Sequence, residues 1–287
     1  MTTTQEIQKK WDRFSSTFQY NFEPQTLPTA HVLVANLRLN IRNLPVPRAV
    51  LEVACGAGSG TKFCLDSKHP NTHLTAIDLS HDMLSLAKAR LNVPQETGED
   101  TQRHIKLLQA NAEELPFADG AFDRYFSNYC LHLVLNPNVM LSECYRVLEK
   151  GGIATFSVWG RPQNSNTFTI IKKVLDELGF CQPSQPSDAP APRTPFHLND
   201  IELLKSMAKE AGFSKYYAAY TYFNTLVLSG QEYVDMFFAG PDTTDTIARL
   251  GQEKGDLWKQ KVAEYVDALL AKGELIGLES AYLICVK

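Results

Sequence analysis

Two carboxylates and a run of glycines are the residues whose types and spacing point to chemistry first. In Leu51-Glu52-Val53-Ala54-Cys55-Gly56-Ala57-Gly58-Ser59-Gly60 an acidic residue stands just before a glycine-rich turn. Glycine is required where a side chain would block close approach of the backbone to a ligand, or clash at positive φ. Two kinds of ligand use such a turn. A dinucleotide needs G-x-G-x-x-G, so that its pyrophosphate rests on a helix N-terminus. Here the glycines fall at 56, 58 and 60, and the third fingerprint position is Thr61. Glu52 would oppose a pyrophosphate and suits a ligand with a positively charged ammonium group. Asp78, 22 residues beyond Gly56, can accept hydrogen bonds from both hydroxyls of a ribose. An aspartate ending a strand is also a common helix cap, so alone it decides little. His132 is the best candidate for a general base, since an imidazole titrates at about 6.5. A core or helix-start histidine is the plainer reading of it, and His197 ranks behind it.

These residues need elements to position them. Arg48–Ala54 reads as a buried strand and Gly60–Ser67 as the helix that follows. His73–Asp78 is a second strand, and His81–Leu91 a helix with Met83, Leu84, Leu86, Ala87 and Leu91 on its apolar side. His104–Gln109, Ala121–Tyr129 and Ile153–Trp159 are further strands, with a helix at Pro137–Leu148 before the turn Lys150-Gly151-Gly152. Strands alternating with helices argue a doubly wound, mostly parallel sheet with helices on both faces. Beyond Trp159, helices are expected at Asn166–Leu178 and Asn199–Ala211, the latter capped by Asn199 or Asp200. Lys215–Phe223 and Ser280–Lys287 read as strands, giving seven in all. The mainly helical stretch between them suggests a cap over the ends of the strands where open α/β sheets bind ligands. Cys181–Pro195, with five prolines, reads as a loop or lid. Ile7, Trp11, Phe14 and Phe18 recur at helical spacing, so an N-terminal helix must pack on something, and the ligand edge is the place expected.

Composition narrows the class. With 287 residues, 44% hydrophobic and 21% charged, the chain is ordinary for a soluble globular protein. A net charge of −4 without dense basic runs argues against DNA as a partner. No apolar stretch approaches the roughly 20 residues of a membrane span, and the polar start lacks a signal peptide's apolar region. The six cysteines (Cys55, Cys64, Cys130, Cys144, Cys181 and Cys285) form no C-x-x-C pair. No metal is expected, and free thiols suit a cytoplasmic location.

An acidic residue, two intervening residues, then C-G-x-G resembles the first motif of class I S-adenosylmethionine-dependent methyltransferases. Ala76-Ile77-Asp78-Leu79-Ser80 resembles the second. Gln109–Phe117 is similar to the family's G-D-A-x-x-L-P-F, with Asn111 where the family has aspartate. Phe122–Ser127 resembles F-D-x-V-x-S, and Tyr145–Gly152 resembles R-V-L-K-P-G-G. Trp11-Asp12-Arg13-Phe14 is similar to the opening of the ubiquinone-biosynthesis type, within the methyltransferase type 11 branch. The family's tyrosine falls at Phe18, and Tyr20 is the substitute available. Over residues 10–160 the resemblance implies a Rossmann-like α/β fold with S-adenosylmethionine as cofactor. It implies a site made of Tyr20, Glu52, Ala54, Cys55, Gly56, Gly58, Asp78, Leu79, Met83, Asn111, Ala112, Ser127 and Asn128. Asp78 would hold the ribose, Leu79 and Met83 the adenine, and Asn111's amide oxygen the adenine amine. Ser127 and Asn128 would face the sulfonium side.

The organisation that follows is an N-terminal helical segment over residues 1–45 covering the cofactor site. A methyltransferase domain fills 46–287, with lid or cap elements at 160–200 and 224–279. The implied activity is methyl transfer to a small molecule by in-line displacement, with oligomeric state left open. Ser-Asn-Tyr-Cys at 127–130 stands where nucleobase amine methyltransferases carry N-P-P-Y, which disfavours that chemistry. The alternatives are a methyltransferase acting on protein or RNA, or a non-catalytic cofactor-binding protein. Tyr216, Tyr217, Tyr220, Tyr222, Phe223, Tyr233, Phe237 and Phe238 could line an acceptor site, although many must serve the core.

Overall fold

The run Ala49-Val50-Leu51-Glu52-Val53 is buried at every position, as a strand covered on both faces must be. In the computed structural model, which describes residues 3–180 and 193–287, it is β1, near the middle of one sheet. Before it come α1 (Thr4–Thr17) and α2 (Glu23–Asn36), joined by a π-helical turn at Phe18–Phe22. After it come α3 (Ser59–Ser67), β2 (His73–Asp78), α4 (His81–Leu91), β3 (Glu99–Asp100) and β4 (Ile105–Gln109). The chain continues through β5 (Phe122–Asn128), α5 (Pro137–Val147) and β6 (Leu148–Trp159). The last third holds α6 (Asn166–Glu177), α7 (Ile201–Glu210), β7 (Lys215–Asn224), α8 (Gly230–Phe237), α9 (Pro241–Leu250), α10 (Gln252–Ala271) and β8 (Gly277–Val286).

The sheet order is β3-β4-β2-β1-β5-β6-β8-β7. The five strands from β4 to β6 are parallel neighbours, whereas β8, β7 and β3 pair antiparallel. This is the α/β, doubly wound, mostly parallel sheet expected, with eight strands instead of seven. The extra strand is Glu99–Asp100, two residues pairing with Lys106 and Ile105, too short to leave a periodic signal in the sequence. The order reverses between β1 and β5, and open sheets of this kind bind ligands outside the carboxyl ends of strands at such a point.

Local chemistry explains the element ends. Ser80 caps α4, its hydroxyl accepting from Met83 N at 3.1 Å, and Asn92 closes that helix at φ +52°, a conformation asparagine tolerates. Asp200, one of the two caps expected for α7, accepts from Glu202 N at 2.9 Å. Asp123 starts β5 by accepting from the backbone N–H groups of Arg48 and Ala49, which fixes its register on β1.

Between β7 and β8 lie three helices. With α6 they bury a core of their own, including Tyr233, Phe237, Trp258 and Val262. Three of the aromatic candidates, Tyr233, Phe237 and Phe238, belong to that core, while Tyr217 and Tyr222 face solvent. The proline-rich stretch lies, for residues 181–192 including Cys181, outside the described residues. The other five cysteines are free and buried. Among the described residues no helix is long and apolar enough to cross a membrane, and no three His, Cys, Asp or Glu side chains are gathered to hold a metal.

Candidate functional site

The glycine-rich turn leaves β1 through three residues at positive φ: Ala54 (+60°), Gly56 (+54°) and Gly58 (+84°). At Gly58 the need for glycine is double, since an added Cβ would stand 3.0 Å from that of Ala87 on α4. Ala54 has no such freedom and holds a left-handed conformation that costs an L-residue about 1–2 kcal/mol. Residues kept in such backbone regions cluster at ligand clamps.

Asp78 organises the turn. Its Oδ2 accepts from Gly56 N and its Oδ1 from Ser80 N, both at 2.8 Å. Burial pushes its carboxyl up to about 6. The Ser80 and Gly56 N–H groups oppose that rise, and Asp12 adds to it. Each carboxylate oxygen keeps a lone pair for a further donor.

Glu52 is 3% exposed, and its Oε2 is buried with no hydrogen-bond partner. Burial raises this carboxyl to about 8, with the Thr61 hydroxyl opposing and Asp78 reinforcing the shift. A buried carboxylate oxygen without a partner is costly, and a cationic ligand removes the cost. Cys55, beside both acids, is a buried thiol driven well above its usual range by burial and then by Asp78 and Glu52. It is inert as a nucleophile.

The remaining expected residues fall along the same edge, with different engagements. Met83 and Ala112 are buried, and the carbonyl of Leu79 accepts from Gln109 Nε2 at 2.8 Å. Asn111's amide oxygen accepts from Glu113 N at 3.0 Å, so it already closes a local Asx turn, which an aspartate there would also do. The Ser127 hydroxyl donates to Val53 O at 2.9 Å. Asn128 donates to Thr26 O and accepts from the Ser157 hydroxyl. These two side chains, expected to face the sulfonium, instead pin β1 and α2 to the sheet edge.

Tyr20 is not brought to the site. It sits on the outer side of the π-helical turn, 78% exposed. Phe18 stands over the glycine turn in its place, with its Cε1 at 3.6 Å from where a Gly56 Cβ would be. A period of 3.6 puts Trp11, Phe14 and Phe18 on one face, and the inserted π turn aims Tyr20 away from it.

Three residues essential to this arrangement escaped the sequence. Asp12 on α1 accepts from the Ser80 hydroxyl at 2.6 Å, latching the N-terminal helix over the turn. Glu23 pairs bidentately with Arg90, both bonds 2.6 Å, and Arg90 also donates to Ala57 O at 2.8 Å. That clamp joins α2, α4 and the glycine turn across 67 residues of sequence. Charge-assisted bonds of this kind contribute about 1.5–3 kcal/mol each, and nothing local in the sequence announces one.

His132 lies beyond the Tyr129 turn with both ring nitrogens buried and unpaired. Burial lowers its pKa to about 3, with contributions from His197 and Arg193, so the ring is neutral. It leans on Trp159 at 5.5 Å between centroids. Trp159 stacks on Phe168 at 4.5 Å and touches Phe196 at 5.0 Å. The ring contacts continue from Phe168 to Phe237, Phe22, Phe14 and Phe18.

Comparison with known proteins agrees with this geometry. A family model described as a methyltransferase domain matches residues 51–156, the stretch from β1 into β6. The demethylmenaquinone methyltransferase of Lactococcus lactis is 35% identical over 104 residues, covering 36% of this chain and 39% of that protein. A malonyl-[acyl-carrier protein] O-methyltransferase of Paenibacillus is 26% identical over 216 residues, covering 74% and 72%. The chain thus spans about two fifths of the length of the first relatives it matches. Among solved structures, phosphoethanolamine N-methyltransferase 2 of Haemonchus contortus aligns with a TM-score of 0.53 at 17% identity, covering 99% of this chain and 57% of that one. The [4+2]-cyclase SpnF aligns at 0.59 and 15%, covering 100% and 97%. The fold is therefore shared with a cyclase, and fold alone does not name a reaction. Residues 51–156 are a methyltransferase domain. In its sheet and glycine turn that stretch is similar to the class I, S-adenosylmethionine-dependent methyltransferases.

Proposed function

We propose that this chain transfers a methyl group from S-adenosylmethionine to a small-molecule acceptor by in-line displacement at sulfur-bound carbon. The observation that carries the reading is Glu52, a fully buried acid with one oxygen unpaired, two residues before a turn that opens at the switch point of the sheet. In this reading Glu52 lies toward the donor's ammonium end. Gly56, Gly58, Ala54 and Cys55 give backbone contact, and Asp78 takes the ribose hydroxyls. Leu79, Met83, Asn111 and Ala112 flank the adenine, and Asn111 serves it with whichever amide group its Asx turn leaves free. Residues 1–45 cover the donor, and the elements at 160–200 and 224–279 cap the acceptor side. Much of the rate comes from holding nucleophile, methyl and sulfur in line away from water. The buried free thiols support work in a reducing, cytoplasmic setting. The named relatives act on small or carrier-bound acceptors, which supports the acceptor class and gives no role to DNA.

The test is calorimetric titration with S-adenosylhomocysteine, followed by incubation with methyl-labelled donor and a panel of small acceptors. Micromolar binding and label in a small product are expected. Binding with label only in added protein or RNA would overturn the acceptor class, and no binding would overturn the reading itself.

A further inference from the structure

Two imidazoles, His132 against Trp159 and His197 close enough to His132 to act on its charge, differ in a way that assigns them separate work. His197 places Nδ1 2.9 Å from the carbonyl oxygen of Thr194. A carbonyl only accepts, so Nδ1 carries the proton and Nε2 holds a free lone pair. That Nε2 is buried and has no partner. Orienting one ring nitrogen on a backbone oxygen while the other stays free is how proton acceptors are commonly prepared. His132 has both nitrogens buried and unpaired, at 3% exposure.

The two rings are held on segments clamped to each other. Arg193 donates to the carbonyls of Val134 and Leu135, which fixes the 193–199 turn on the loop after β5. Phe196 and His132 both contact Trp159. Burial keeps each imidazole below its ordinary range; His197 and then Arg193 add to this at His132, and at His197 the Thr194 carbonyl opposes it while Arg193 adds to it. Unpaired nitrogens so placed cost stability unless a ligand supplies their partners.

Resting on the methyl-transfer reading, we propose that the acceptor is a hydroxyl on a planar apolar body, seated between these imidazoles, with Nε2 of His197 receiving its proton. A neutral amine brings its own lone pair and needs no base. A phenolic hydroxyl, ionising at about 10, is protonated at neutral pH and gains from one. The oxygen–carbon bond forms as the carbon–sulfur bond breaks. Sulfur leaves with the electron pair, and the hydroxyl proton moves to His197. Neutral His132 donates its N–H to the same oxygen, and the rings of Trp159, Phe168 and Phe196 give the planar body its wall.

The test uses the intact chain with 4-ethylphenol and 4-ethylaniline as probes. Wild-type protein is first titrated with S-adenosylhomocysteine, and absence of binding overturns the cofactor reading and this proposal together. With binding established, histidine nitrogen–proton spectra of that complex are recorded before and after adding the phenol. An Nδ1–H tautomer at His197 and shifts of both rings are expected, whether or not this probe is turned over. Where it is turned over, His197→Gln should lower kcat/KM about a hundredfold and leave S-adenosylhomocysteine affinity within twofold. The loss should shrink as pH rises toward the phenol's own ionisation. No shift at either ring, equal use of the aniline, or a loss below threefold would each overturn the proposal.

Discussion

Replacing Asp78 by Ala should weaken S-adenosylhomocysteine binding by a factor of about a hundred or more. On the proposed reading two ribose hydroxyls donate to this one buried carboxylate, in charge-assisted bonds of about 1.5–3 kcal/mol each, and each 1.4 kcal/mol is about tenfold in affinity. The same carboxylate holds the Gly56 and Ser80 N–H groups, so its removal also loosens the turn that approaches the ligand. Asp78→Asn keeps one oxygen and the side-chain shape, and it should lie between wild type and Asp78→Ala. Thermal melting of the empty protein checks that folding survives. A loss under fivefold in a folded Asp78→Ala protein would move the donor to another part of the sheet edge.

The second large effect is a dependence on pH. In the empty protein Glu52 is held at about 8 by burial, so most molecules carry a proton there at pH 7. An ammonium ligand needs the ionised form, and binding therefore expels that proton. Titrations in buffers of different ionisation enthalpy should show release approaching one proton at pH 7. Affinity should tighten by up to about tenfold per pH unit as the pH rises from 6 toward 8. Stability of the empty protein moves the opposite way. From about 4.5 to 8 the unfolded chain has lost this proton while the folded chain keeps it, so stability falls as pH rises across that window. Glu52→Gln should weaken binding and flatten both slopes above about pH 7, leaving below it the part that Asp78, raised by burial to about 6, contributes with the same sign. Proton uptake, or a wild-type affinity flat between pH 6 and 8, would refute the assignment.

Most of the frame was legible in the residues. The strand at Ala49–Val53 announces itself as an apolar run interrupted only by Glu52, and the break in the glycine fingerprint at Thr61 separates the site from a dinucleotide one. Ser80 and Asp200 cap their helices by local rules. What was not legible is what depends on pairs far apart in sequence or on a small change of helical period. Ser127 and Asn128 were expected to face a ligand because of where their strand ends. Only the fold reveals Val53, Thr26 and Ser157 as their partners. Tyr20 was misplaced because a single π-helical turn, invisible in composition, rotates it outward and leaves Phe18 over Gly56. The Glu23–Arg90 clamp and the Asp12 latch join elements that no local pattern connects. His197 ranked low for the same reason, since the Thr194 carbonyl that fixes its proton is a matter of backbone geometry.

The chain of touching rings from Phe18 above the glycine turn to Trp159 beside His132 has a kinetic meaning. If the donor enters beneath the N-terminal helix as proposed, admitting it would displace Phe14 and Phe22, and through their contacts with Phe237 and Phe168 would disturb the proposed acceptor wall. A seated acceptor would then oppose entry of the donor. The expected result is a queue, with donor first in, methylated product first out and spent donor last. Product-inhibition patterns competitive between donor and S-adenosylhomocysteine alone are its expected signature, and random-order patterns would show that the rings pass nothing along.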